Sequence, residues 1–239
     1  MGITYGDFAE PLFRLLGAKT VESLDYSDYE QASIIHDMNT PLGDRLVEKF
    51  SVVMDGGTLE HVFNYPVAIR NCMDMVKVGG HLIVKTPSNN AFGHGFYQFS
   101  PELFFSLLNE ENGFAETQIF QQDDSLRWFR VRNPKDIRRR VDWCVAEYAP
   151  SDLCVVSKKI KSTPGTLRVQ QSDYVALWAK EATSLGSSGH KGGVIKSSVT
   201  KALKKIIPVT IKHLLKKRIA RNRYKKIFYE KIDIGETIV

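Results

Sequence analysis

Cysteine is scarce in this chain, and long apolar runs are missing. Cys72, Cys144 and Cys154 form an odd set without paired spacing, which speaks against a disulfide framework and against a zinc ribbon. The expectation is a reduced, cytoplasmic compartment. The apolar stretches are short and interrupted, and none reaches the roughly 20 residues that a membrane-spanning helix needs. Secretory signals are lacking too. Asp7 and Glu10 stand where a basic region belongs, and no small-residue cleavage site follows. Met1-Gly2 opens a myristoylation pattern, but Gly6 occupies the place of the required Ser or Thr. There is no internal repeat. No short His/Cys/Asp/Glu spacing marks a metal centre, although His36, Asp37, Asp55, His61 and His94 could share one rim.

What is present is ordinary globular material, unevenly charged. The 239 residues suffice for one α/β domain of about 150 residues plus extensions. The net charge of +6 is misleading as an average. Residues 191–239 hold 14 Lys/Arg against 3 Asp/Glu, whereas residues 1–190 hold 19 against 24. The basic character therefore belongs to the tail, and the globular part is mildly acidic. A nucleic-acid-binding domain is not implied.

Apolar spacing predicts the elements. Phe8, Leu12, Leu15 and Leu16 lie at helical intervals, with Gly17 as a stop. Residues 20–24, 32–36, 50–54 and 81–85 read as strands, and Asp25, Asp37 and Asp55 close the first three. Residues 58–76 read as a helix kinked at Pro66. Ser100-Pro101-Glu102 predicts a helix start, with Gly113 ending the run. Residues 117–120 and 153–157 complete the strand set. Short strands alternating with helices predict a doubly wound, mostly parallel sheet covered on both faces. In such sheets ligands bind at the carboxyl ends of strands.

Phe50-SVVMDGGTLEHV-Phe63, Met75-VKVGGHLIVKTPSNN and Phe99-SPELFFSLLNEENGF follow one another in the order and spacing of a known family. The chain resembles the class I S-adenosylmethionine-dependent methyltransferases, closely over residues 50–115 and more loosely over 6–160. The resemblance implies a Rossmann-like fold and S-adenosylmethionine as cofactor. It further implies Asp25 as the acceptor for the ribose hydroxyls, and Asp37 with Met38 at the adenine. Each Asp could equally serve as a turn or cap residue. One family feature is missing: no G-x-G turn lies near the start, and only one helix precedes the strand ending at Asp25. Only eleven residues separate Asp25 from Asp37, so the helix expected between them is missing as well. Either a segment bearing the glycine turn precedes Met1, or the cofactor site is incomplete.

On the acceptor side, Asp55-Gly56-Gly57 ends a strand, where glycine lets a ligand approach the backbone. Asp55 could orient a hydroxyl or the cofactor amine, and Gly56 and Gly57 could line the cofactor; a tight turn is the plainer reading. Glu60 suits a helix dipole, and His61 is either catalytic or a packing histidine. In Asn89-NAFGHGFYQF-Ser100, Gly93 and Gly95 flank His94. His94 is a candidate general base near pH 7 or a hydrogen-bonding loop residue. Asn90, Tyr97 and Gln98 are candidate substrate contacts. The function implied is methyl transfer to a small-molecule or carbohydrate-like acceptor, or else a non-catalytic, methyltransferase-like binding or scaffold module.

The organisation expected is an α/β domain over 1–160, a satellite strand/helix over 161–185, a flexible linker over 186–195, and a basic amphipathic helical tail over 196–239. In the tail, Val199, Leu203, Ile206, Ile207, Ile211, Leu214, Leu215 and Ile219 recur at helical intervals among Lys and Arg, with Pro208 dividing two helices. Such a stripe fits peripheral contact with an anionic membrane's inner surface. It also fits packing on the domain or on a partner protein. Nucleic acid is the least supported partner, since no aromatic stacking platform is interleaved.

Overall fold

The computed structural model describes residues 8–123, 125–137, 141, 149–175, 178 and 227–232. The first elements are slight. Helix α1 spans Glu10–Leu15, and strands β1 (Leu24–Asp25) and β2 (Ile34–Ile35) pair in parallel as a two-stranded sheet. Two residues each is far less than the strands expected over 20–24 and 32–36. Ser23 and Ser33 explain the shortness in part, because they bond each other's backbone rather than extending the ladder.

The main sheet follows. Strand β3 is Phe50–Asp55, helix α2 Tyr65–Met75, β4 Val76–Asn89, α3 Pro101–Leu107, β5 Phe114–Gln122, β6 Trp128–Val131, α4 Pro134–Ile137, β7 Ser151–Lys159 and β8 Tyr229–Ile232. Pro66 does not kink a long helix. It lies in the first turn of α2, where a missing N–H costs nothing. A 3-10 turn over Leu59–His61 precedes it. The Ser100-Pro101 start is as expected, with extended backbone at Ser100, although its side chain makes no capping bond.

Sheet order is β3-β4-β7-β5-β6-β8. Within this sheet, among the described residues, only β3 and β4 pair in parallel; β4–β7, β5–β7, β5–β6 and β6–β8 are antiparallel. The doubly wound, mostly parallel sheet is thus corrected to a mixed and mostly antiparallel one. Connectivity gives the reason. The helical crossovers β3-α2-β4 and β4-α3-β5 keep β3, β4 and β5 in one direction, as α/β units do. The returning strand β7 then inserts between β4 and β5 in the opposite sense. The class remains α/β. A Cβ on Gly80 would lie 2.6 Å from the Ser51 carbonyl oxygen, so glycine there permits the bulged approach of β4 to β3.

The core lies between the sheet and its helices. Ile69, Met73, Leu82, Val84, Phe104, Phe114, Ile119, Leu153 and Val155 are buried together. Residues 160–171 run back over this body. Asn112 donates to the Leu107 and Arg168 carbonyls and accepts from the Arg168 amide, and Arg70 donates to the Pro164 carbonyl. The linker and most of the basic tail lie outside the described residues, so the helical stripe over 199–219 does too. The tail's last part differs from the helix expected there: Tyr229–Ile232 is a strand on the outer side of β6, and Phe228 is fully buried.

Candidate functional site

Asp55 ends β3, and its carboxylate shapes everything after it. Oδ1 accepts from the amides of Thr58 at 3.0 Å and Leu59 at 3.3 Å. Those bonds hold the 3-10 turn that follows, as an Asp at a helix start does. The turn puts Glu60 into the wall, only 1% exposed, and leaves His61 at the surface. Thr86, buried on the neighbouring strand β4, donates to Glu60 Oε2 at 3.0 Å.

The loop over 91–98 closes on itself and docks on that turn. The Ala91 amide donates to Gln98 Oε1, and the His94 amide to the Ala91 carbonyl. The amides of Phe96 and Tyr97 donate to the Glu60 carbonyl at 2.7 and 3.2 Å. Gly95 has φ +70°, and a Cβ there would sit 2.7 Å from the Glu60 carbonyl oxygen. Only glycine meets both demands. The consequence is a fixed His94 above the turn. Its Nε2 lies 3.5 Å from Glu60 Oε1, and its ring lies 4.9 Å from that of His61.

These groups line a cleft of about 670 Å³, together with Gly56, Gly57, Lys85, Asn90 and Asp152. It opens at the carboxyl ends of β3 and β4. Lys85 is paired with Asp152 at 2.7 Å. Burial pushes the Asp55 carboxyl up to about 6; the nearby Glu60 charge raises it further, and the Thr58 and Leu59 amides oppose the rise. Its Oδ2 is buried without a hydrogen-bond partner.

The expected residues divide into two groups. Gly56, Gly57, His61, Asn90 and His94 converge on the cleft, with Asp55 beneath them. Asp25, Asp37 and Met38 do not line it. Asp25 is exposed on β1 and accepts from the Ser27 amide. Asp37 accepts from the backbone and side chain of Asn39, which hold its carboxyl below the usual range. Met38 is buried, its sulfur 3.9 Å from Asn71 Nδ2. Both carboxylates close their own turns, as short polar side chains do. They do not assemble with the cleft. Tyr97 and Gln98, the candidate substrate contacts, do not line this cleft either. Tyr97 donates to the Phe63 carbonyl and stacks on Phe99, while Gln98 closes the loop.

Glu60 is the residue that sequence reading passed over. Next to His61 in a first helical turn it looks like a dipole partner; its burial comes from Thr86 and the loop 35 residues on. The Gly-His-Gly triplet was the available signal, since a glycine on each side of an imidazole implies close docking.

No family model matches the chain, and no curated protein matches it in sequence. Among solved structures, a protein of Bacillus halodurans C-125 designated a methyltransferase aligns with 65% of this chain and 89% of its own, at 13% identity and a TM-score of 0.35.

Proposed function

We propose that this α/β domain transfers a methyl group to a small, polar, carbohydrate-like acceptor held in the cleft, with S-adenosylmethionine as donor. The observation that carries the reading is the convergence of Gly56, Gly57, Glu60, His61 and His94 at the carboxyl ends of parallel strands β3 and β4. Ligands of α/β sheets bind there, and two of the three sequence segments that resemble the methyltransferase family, residues 50–63 and 75–90, contribute to that corner. Methyl transfer is an in-line displacement that asks for positioning and removal of one proton from the acceptor. His94 is suited to take that proton, because the buried Glu60 carboxylate steadies the imidazolium that forms. Asn90 and His61 offer polar contacts for acceptor hydroxyls.

On the donor side, the Asp55-Gly56-Gly57 turn is the part that suits a close-lying ligand. A Cβ on Gly56 would meet nothing within 4 Å, so the space above it is open. A second reading, a non-catalytic binding module, is favoured by Asp25 and Asp37 being occupied in local turns. Calorimetry on the full chain separates the two. Saturable S-adenosylmethionine binding that Gly56→Val weakens at least tenfold, at an unchanged melting temperature, supports the transferase. Absence of binding to the folded protein supports the module.

A further inference from the structure

Glu60, His61 and His94 each offer a ligand atom that lies within 4.8 Å of the other two. We propose that these three side chains hold one divalent transition-metal ion in the cleft wall, with further coordination positions open to the cleft. Metal bonds of about 2.1 Å place tetrahedral ligand atoms roughly 3.4 Å apart. His94 Nε2 and Glu60 Oε1 already stand at 3.5 Å. His61 and His94 are exposed, so small ring rotations close the remaining gap. Two imidazoles and one carboxylate suit zinc, manganese or iron(II) rather than calcium. Three protein ligands with positions left open is the pattern of a reactive site rather than a structural one.

Two further observations point to a cation. Glu60 presents one oxygen toward His94 while Thr86 fixes the other, which is how supporting residues orient a ligating carboxylate. Asp55, also buried, adds a second carboxylate close enough to feel the first, and its Oδ2 has no hydrogen-bond partner. Buried carboxylates call for a compensating charge. Lys85, the lysine of the cleft lining, is engaged by Asp152. A hydroxyl bound beside a divalent ion loses its proton more readily, so an ion here would itself supply what the methyl-transfer reading asks of His94, whose ring would then be a ligand and not the base. The site rests on its own geometry and not on the methyl-transfer reading.

The test uses the full chain without a histidine tag, stripped of metal and titrated with Co²⁺, then Zn²⁺, by visible absorption. One Co²⁺ per chain is expected, displaced by one Zn²⁺. His61→Ala and His94→Ala should each weaken Zn²⁺ at least tenfold with the melting temperature of the apo protein unchanged, and Glu60→Gln should do the same. His81→Ala, on β4 and outside the cluster, should leave affinity as it was. Should Glu60→Gln unfold, the two exposed histidines decide alone. Lack of stoichiometric binding overturns the proposal. So does equal affinity in both histidine variants, or near-ultraviolet charge transfer from a cysteine thiolate. Neither donor nor acceptor is needed, so failure here leaves methyl transfer standing, and failure of donor binding leaves the ion standing.

Discussion

At the residue scale, Asp55 is where burial and function pull against each other. Its carboxyl titrates at about 6 in the folded chain, against 3.8 as the ordinary value. Between those values the native state holds a proton that the unfolded state has lost. Stability therefore falls as pH rises from about 4 to about 6, and the deficit persists above that window. The shift corresponds to about 3 kcal/mol at most. Asp55→Asn keeps an oxygen for the Thr58 and Leu59 amides and removes the charge. It should raise stability at pH 7.5 by about 1–2 kcal/mol and flatten that part of the pH dependence, as read by urea unfolding at pH 4.5 and 7.5. A variant with the wild-type slope would mean that Asp55 is not the group titrating. Asn112 is the contrasting case, a fully buried amide whose side chain bonds the backbone of Leu107 and Arg168. Asn112→Ala should cost about 2–4 kcal/mol, because it strands the Leu107 and Arg168 backbone groups.

At the element scale, the loop over 91–98 is held by the Glu60 carbonyl, and Gly95 is the point of contact. Gly95→Ala adds a Cβ at 2.7 Å from that oxygen, at a φ that L-residues rarely adopt. It should cost about 1–3 kcal/mol locally and lift His94 from Glu60. The check is the NMR contact between the His94 and His61 rings, whose centroids lie 4.9 Å apart in the parent: it should be lost in the variant. The outer strand β3 tells another story. Its partner on one side is β4, and Val52 and Met54 are exposed. An apolar edge with no further strand beside it among the described residues invites pairing with another chain. Val52→Lys should therefore reduce concentration-dependent association in light scattering while changing stability by no more than about 0.5 kcal/mol. An unchanged association profile would mean that this edge is covered in solution.

At the scale of the whole molecule, the far end of the chain returns to the domain. Phe228 is fully buried and Tyr229 nearly so, against the side of the sheet where β6 pairs with β8. Phe228→Ala should cost about 3–5 kcal/mol in global unfolding. That packing also decides how the basic tail must be tested. Deleting everything after the linker would remove β8 and confuse loss of fold with loss of a membrane anchor. Replacing Ile207, Ile211, Leu214 and Leu215 by Ser preserves both β8 and the charge. If the tail is an amphipathic membrane-surface helix, full-length protein should sediment with anionic vesicles, and this variant should not. Full binding by the serine variant would leave electrostatic attraction alone.

Local chemistry was enough for much of this molecule. Alternating apolar residues and the Ser100-Pro101 start placed β3, the middle of β4, α3, β5 and β7 in the sequence, because periodicity and cap preference act over a few residues; that β4 begins before Gly79-Gly80 and runs through them was not legible. The same locality put Gly56, Gly57, His61 and His94 among the site candidates. Strand direction was beyond its reach. Whether β7 enters beside β4 or beyond β5 depends on pairings between residues about 30 to 77 positions apart, and apolar strands of either direction look alike in sequence. Tertiary structure likewise decided that Glu60 is buried, since Thr86 and the 91–98 loop bury it. It also drew Asp25 and Asp37 away from the cleft, because their nearest hydrogen-bond donors are their own neighbours two residues on. Periodicity names the parts of a sheet; long-range pairing and burial decide which of their polar groups meet.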